Sequence, residues 1–374
     1  MFAESFRNKT VWLSGHTGFK GAWLAQWLLE LGAEVHGFAL EPETKPSLFN
    51  QLALAKKIHH RIADIRDAAA VKKAIRAAQP DFVFHLAAQP LVRLSYEQPV
   101  ATYETNVMGT IHVMEALRDL KKKCAAVLVT TDKCYENREW HHGYREEDPL
   151  GGSDPYSSSK AAAEITIAAW RRSFFKNHPV KIASARAGNV IGGGDWAKDR
   201  IVPDCIRALQ GKQAVAVRNP NSTRPWQHVL EPLSGYLWLA ARLSQPLAAP
   251  KRSAGGSTIN RQLCSAFNFG PNRAANRTVR ELVEEILKHW PGRWVDKSNP
   301  RAVHEAKLLH LETDKALHLL KWKPVWNFSE TVAQTVIWYH AAAKSPELAP
   351  DFLLGQISDY CAAAKIKKLP WATA

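Results

Sequence analysis

The sequence predicts an α/β fold: a doubly wound parallel sheet with a smaller C-terminal substrate-binding lobe. Three observations predict it. A short apolar strand near the start runs through a glycine-rich turn straight into an apolar-periodic helix. Strand and helix patterns then alternate through the first half. At 374 residues the chain is long enough for a large core and two lobes.

The first strand is Lys9 to Ser14 (KTVWLS). Gly15-His16-Thr17-Gly18-Phe19-Lys20-Gly21 follows and leads into the helical stretch Ala22 to Leu31. Strand, glycine turn and helix in this order form a dinucleotide-binding arrangement. Gly15 permits the tight turn, Gly18 lets backbone N–H groups approach a pyrophosphate, and Gly21 allows close packing of the helix. The helix N-terminus then favours the anion. Lys20 has two readings, a charge at the pyrophosphate or a side chain in solvent.

The second strand, Glu34 to Leu40, ends Ala39-Leu40-Glu41. Glu41 stands at about the offset from the glycines where a ribose-binding carboxylate is usual, although past the strand end. No Arg lies between Ala39 and Ser47 to meet a 2′-phosphate, so NAD is favoured over NADP. The alternation continues with Ile58 to Ala63, Asp67 to Ala78, Asp81 to Leu86, Ala101 to Leu117 and Ala125 to Thr131. The domains expected are a nucleotide-binding Rossmann unit over 1–190, with 226–264 returning to it, and a substrate lobe over 191–225 and 265–374. The stretch Gln245 to Thr258 reads as a surface loop.

Tyr156 and Lys160 form the one Tyr-x-x-x-Lys pair of the sequence, at the start of a helix with Pro155 in its first turn. A helix sets residues i and i+4 on one face. A free phenol, with a pKa of about 10, is a poor base at neutral pH, and a nearby ammonium favours the phenolate. The pair can then accept the proton of an alcohol. Thr131-Asp132-Lys133 closes the fifth strand, at the sheet end that faces the ligand crevice.

The net charge of +15 first suggests nucleic acid, but the basic residues are dispersed and no nucleic-acid motif accompanies them. Dinucleotides and nucleotide-sugars are polyanions and use such charge more simply. The five cysteines (Cys124, Cys134, Cys205, Cys264, Cys361) are scattered and lack CxxC spacing, which suggests a reducing cytoplasm and neither disulfides nor metal. No apolar run reaches the roughly 18 residues of a membrane span. The opening MFAESFRNK has no secretory core segment. The pairs His59-His60 and His141-His142 lack ligand spacing and read as surface residues.

The glycine loop, the strand-end Thr131 and the Tyr156/Lys160 pair, in that order, resemble the extended short-chain dehydrogenase/reductase family. GHTGFKG (15–21), HLAAQPLVRLSY (85–96), TDKCYENREW (131–140), RAGNVIGGGDWAKDR (186–200) and RPWQHVLEPLSG (224–235) are similar to its CDP-glucose 4,6-dehydratase branch. The resemblance implies a lyase that takes CDP-glucose to CDP-4-dehydro-6-deoxy-D-glucose, with NAD reduced and reoxidised within one turnover. It implies a homodimer, and a product that feeds deoxyhexose synthesis for surface polysaccharide such as O-antigen.

By the same resemblance Tyr156, supported by Lys160, takes the C4 hydroxyl proton while Thr131 hydrogen-bonds that oxygen. Asp132 is the candidate acid for the departing C6 hydroxyl, and Lys133 the candidate C5 base. The other reading of Lys133 is a partner for Asp132 or a phosphate. Asp64 and Ile65 meet the adenine side of the cofactor; Ala87, Gln89 and Asn106 border it, Asn106 being alternatively a buried structural amide. Asn189 and Arg224 contact sugar and diphosphate, a job that suits the planar guanidinium fork. The loop Gly192-Gly193-Gly194-Asp195 is either a closing segment or a turn. The alternative function is another nucleotide-sugar dehydratase or an epimerase, although an epimerase needs no acid–base pair at Asp132-Lys133. An NAD-sensing protein would not need Tyr156 and Lys160.

Overall fold

The computed structural model describes residues 1–245, 262–298 and 308–373. Its main sheet has seven strands among the described residues. They are β1 (Thr10–Ser14), β2 (Glu34–Ala39), β3 (His59–Ile62), β4 (Phe82–His85), β5 (Cys124–Val129), β6 (Val180–Ala187) and a last strand, Ala266–Phe269. Across the sheet they run β3-β2-β1-β4-β5-β6 and then Ala266–Phe269, and every pairing is parallel. The order reverses between β1 and β4, the point at which a doubly wound sheet opens a crevice beyond its carboxyl ends. The Rossmann expectation holds.

Alternate side chains of a strand serve opposite faces. Val11 and Leu13 of β1 join one core while Trp12 joins the other. Ala125 and Val127 of β5, and Ala183 and Ala185 of β6, go with Val11; Cys124, Ala126, Leu128, Val180 and Ile182 go with Trp12. Both faces are therefore covered, as a parallel sheet requires. The helices Ala68–Ala78 and Gly109–Arg118 cover the second face. The almost wholly buried helix Leu230–Ser244 packs on β5 and β6 from the first.

Helix starts agree with their capping chemistry. Asp67 accepts from Ala70 N and Asp154 from Ser157 N, which satisfies first-turn N–H groups that lack helical partners. Two boundaries differ from expectation. The helix after the glycine loop spans Phe19–Glu30 and so begins inside the loop, because Gly18 serves as its N-cap. The helix expected over Ala101 to Leu117 is three pieces, Pro99–Tyr103, a π-helical turn Glu104–Met108, and Gly109–Arg118. Apolar periodicity does not register a single widened turn, and such turns frequently mark functional sites.

The segment Arg224 to Gly235 crosses from a short strand, Thr223–Pro225, into the Leu230–Ser244 helix. Beyond the last sheet strand lie the helices Val279–His289, Asp314–Leu320, Phe328–Lys344 and Ala349–Ile366. Residues 246–258 of the expected surface loop lie outside the described residues.

Candidate active site

The crevice at the switch point has a volume of about 1300 Å³, above the several hundred Å³ usual for one small ligand. One end is the glycine loop. Gly15 has φ +77°, and a Cβ there would lie 2.7 Å from Ala87 N, so the loop presses against the chain leaving β4. A Cβ on Gly21 would lie 2.0 Å from Gly15 O, so its place in the first turn of the helix tolerates no side chain. Gly18 caps that helix without a side-chain hydrogen bond, which leaves first-turn N–H groups for an anion. Thr17 Oγ1 donates to Leu40 O at 2.9 Å and ties the loop to the end of β2. Ser14 Oγ lies 2.7 Å from His85 Nδ1 and accepts from Leu86 N and Ala87 N, fastening β1 to β4 at the switch point.

Most expected residues converge here. Gly15, Gly18, Phe19, Lys20, Gly21, Asp64, Ile65, Ala87, Gln89, Thr131, Lys133, Tyr156, Lys160, Asn189 and Arg224 all line the crevice. Glu41 lines it from two residues beyond the end of β2 and is exposed. Asp64 is held by Arg66 at 2.6 Å, whose hydrogen bond keeps its carboxyl below the ordinary range.

Three expected residues do not line it. His16 is fully buried, its Nε2 2.7 Å from His60 Nδ1. Gly37 makes the room, since a Cβ there would come within 2.7 Å of the His16 ring. Burial, then the neighbouring His60, lower the His16 imidazole to about 3. His16 therefore supports the loop from beneath, with its side chain turned away from the cofactor side.

Asn106 is buried in the π-helical turn. Its Oδ1 accepts from Gln89 N at 2.8 Å, and its Nδ2 donates to Gln89 O and to Ser159 Oγ. It bridges the loop after β4 to the helix Pro155–Ser173, so the structural-amide reading describes it. The Asp132 carboxylate is 1% exposed. Its Oδ1 accepts from Thr131 Oγ1 at 3.0 Å, and its Oδ2 has no partner. Gly188 backs this carboxylate, leaving 2.9 Å between Oδ2 and a hypothetical Cβ.

Lys20 lines the crevice and does not extend into open solvent. It turns toward the Leu230–Ser244 helix and donates to Tyr236 OH at 3.1 Å. Burial, with the charges of Lys160 and Arg200 next, lowers its ammonium to about 7. Lys133 Nζ stands 3.4 Å from Asp132 Oδ1 with its side chain 30% exposed on the crevice wall.

Tyr156 is 7% exposed. Burial pushes its phenol up to about 12; a hydrogen bond with Thr131 and the charge of Arg200 act against that rise, while Asp132 adds to it. Burial lowers the Lys160 ammonium to about 8, with the charge of Glu164 opposing. Arg200, which heads the helix Ile201–Gln210 and is held by Asp195 at 2.9 Å, thus supplies positive charge to the phenol. Sequence reasoning missed that role, although Arg200 closes the 186–200 segment quoted above.

The Gly192–Asp195 loop is a packed turn. Trp23 Nε1 donates to Gly193 O, Tyr339 OH donates to Asp195 O, and a Cβ on Gly193 would meet the Trp338 ring.

The histidine pairs divide. His141 and His142 are exposed as expected. His60 is half-buried against His16, and exposed His59 stacks on His36 at 4.3 Å while both rings reach Glu34.

The sequence model of the family described as GDP-mannose 4,6-dehydratase matches residues 13–335. A CDP-glucose 4,6-dehydratase of Salmonella typhimurium is 45% identical, over 96% of this chain and 98% of its own length. Among solved structures, a dTDP-glucose 4,6-dehydratase of Streptomyces venezuelae with NAD bound has a TM-score of 0.73 at 21% identity, covering 90% of this chain and 99% of that one. A UDP-glucose 4-epimerase of Thermotoga maritima has a TM-score of 0.72 at 19% identity, covering 89% and 99%. The structural likenesses extend to epimerases and dehydratases alike.

Proposed function

The chain belongs to the GDP-mannose 4,6-dehydratase family, and from that premise we infer that it is a nucleotide-sugar hydro-lyase converting CDP-D-glucose to CDP-4-dehydro-6-deoxy-D-glucose and water. NAD is its cofactor. The observation that carries the reading is the convergence, at one sheet end, of a glycine-loop anion site with Thr131, Lys133, Tyr156 and Lys160.

The residues fit the cofactor. The first turn after Gly18, free of a side-chain cap, suits a pyrophosphate, and Asp64 and Ile65, which line the same crevice, would hold the adenosine end. When bound, NAD supplies the acceptor and later the donor of one hydride. The chain's own residues move the protons. Tyr156 takes the proton of the C4 hydroxyl, with Thr131 bonded to the phenol and Arg200 supplying positive charge, and with Lys160 one turn along the same helix. The ketone so formed at C4 acidifies the C5 hydrogen, which Lys133 removes from the crevice wall. Asp132, with one oxygen unpartnered, protonates the departing C6 hydroxyl. Asn189 and Arg224 hold the sugar and diphosphate, and the cations Arg200 and Arg218 along the crevice suit a polyanionic substrate.

Exposed apolar side chains support a homodimer through the two helical stretches that flank the site: Val100 (71%), Met108 (44%) and Ile165 (57%). Free cysteines support a reducing, cytoplasmic setting, and no helix among the described residues is long and apolar enough to cross a membrane. The product is the kind of keto-deoxysugar from which O-antigen deoxyhexoses are made. Assaying CDP-, dTDP-, UDP- and GDP-glucose side by side tests the reading; release of a 4-keto sugar from CDP-glucose at least tenfold faster than from the others is the expected outcome.

A further inference from the structure

Behind the site lies a buried ion pair that the reaction as described does not use. Glu164 sits one turn beyond Lys160 on the helix Pro155–Ser173, and Arg186 sits near the end of β6. Their side chains are 2% and 4% exposed and meet at 2.8 Å. Burial alone would raise the Glu164 carboxyl, but the Arg186 charge brings it below its ordinary range. Against burial, Glu164 in turn holds the Arg186 guanidinium above its own. Both groups therefore stay charged in the interior.

A buried pair of this kind is weak as a source of stability, because desolvation costs about as much as the attraction returns. Its contacts give it a different use. Glu164 Oε1 accepts from Thr130 Oγ1 at 2.5 Å, and Oε2 accepts from Ser184 Oγ at 2.9 Å. Thr130 immediately precedes Thr131-Asp132-Lys133. Arg186 donates to Tyr135 OH at 2.7 Å and to Glu146 O at 3.0 Å. Tyr135 lies two residues beyond Lys133, and its hydroxyl donates onward to Asn268 Oδ1 at 2.8 Å on the last sheet strand. One anion thus holds the near end of the turn, one cation holds the far end, and the two are bonded to each other.

We propose that Glu164 and Arg186 are positioning residues that clamp both ends of the Thr131–Lys133 turn and so align Asp132 and Lys133 for the elimination across C5 and C6. The proposal rests on the dehydratase reading, in which those two side chains carry the elimination. The clamp's demand falls on elimination more than on C4 oxidation, because Tyr156 and Lys160 ride on a long helix that stays anchored by its own Asp154 cap and by Ser159 on Asn106.

The test uses the intact NAD-loaded chain and CDP-glucose, with variants Glu164→Gln and Tyr135→Phe. The first keeps the shape but removes the charge and one of the two acceptor oxygens. The second leaves the ion pair and removes one anchor. Keto-sugar release should fall about 10- to 100-fold, the scale on which small misplacements of catalytic groups act. In Tyr135→Phe the first-turnover rise of reduced-cofactor absorbance should fall less than about threefold, and reduced cofactor should be visible in its steady state and not in that of the wild type. Glu164→Gln also withdraws the charge that keeps Lys160 protonated, so it tests the fall in keto-sugar release and Tyr135→Phe tests the split between the steps. Tyr135→Phe carries the test if Glu164→Gln fails to fold. Equal losses in both steps of Tyr135→Phe, or release within about twofold of wild type in either variant, would overturn the clamp alone. A wild-type chain that releases no keto-sugar would overturn the dehydratase reading and the clamp together.

Discussion

Three histidines buried as neutral side chains set an acid limit on this fold. His16 and His228 are fully buried and His85 is 2% exposed. Burial lowers each imidazole from 6.5 to about 3, helped at His16 by His60 and at His85 by the charge of Lys160. In the unfolded chain each takes up a proton below about pH 6.5 that the folded chain refuses, so stability is lost as pH falls through that window. Between pH 6.5 and 5 the loss is about 1.6 kcal/mol per histidine, about 5 kcal/mol for three.

Glu231 opposes this. Burial pushes its carboxyl up to about 7 from 4.5, against hydrogen bonds from Trp326 N, Val325 N and Tyr360 OH. It binds a proton in the folded state across the same window and returns about 2 kcal/mol. The net loss is about 3 kcal/mol, a large part of the 5–15 kcal/mol typical of a folded domain. Urea denaturation followed by tryptophan fluorescence at pH 6.5 and 5.0 measures it. His85→Gln, facing the same hydroxyls of Ser14 and Thr110, should cut the difference by about 1.6 kcal/mol. Equal stability at the two pH values, or greater stability at pH 5, would refute the reasoning.

Four further outcomes are expected. Tyr156→Phe should lower kcat by at least about 100-fold with KM within a few-fold, because the hydroxyl matters in the transition state; activity within a few-fold of wild type would remove Tyr156 as the base. Asp132→Asn should leave C4 oxidation intact and stop elimination, so reduced cofactor accumulates after substrate is added; an unchanged spectrum with no product would place Asp132 in an earlier step. Since burial lowers Lys160 to about 8, its positive charge is present below that pH and lost above it, and kcat/KM of the oxidation step should decline as pH rises through about 8. Substrate deuterated at C4 should give product deuterated at C6, and unlabelled substrate in D2O should gain deuterium at C5; escape of the C4 label to solvent would indicate an ordinary dehydrogenase.

What was legible in the sequence was local. The glycine turn between a strand and a helix, the Tyr156/Lys160 spacing, Pro155 in the first turn of its helix and the alternation of apolar residues are all relations within a few positions. They determined the fold class, the place of the crevice and most of its lining. What only the tertiary structure decided were pairings between distant segments. His16 reads locally as a loop residue, yet Gly37 on the next strand leaves a hollow for its ring and His60 on the third meets it. Lys20 reads as a loop cation, yet Tyr236 turns it away from solvent. Arg200 reaches the phenol, and Arg186 reaches Glu164, because a parallel sheet brings the carboxyl ends of strands far apart in sequence to one edge. The physical reason is the range of each signal. Backbone sterics, capping and side-chain periodicity act over a turn or two and leave a mark in residue spacing. Burial, and the charges and hydrogen bonds it strengthens, act through space between residues whose separation along the chain carries no period.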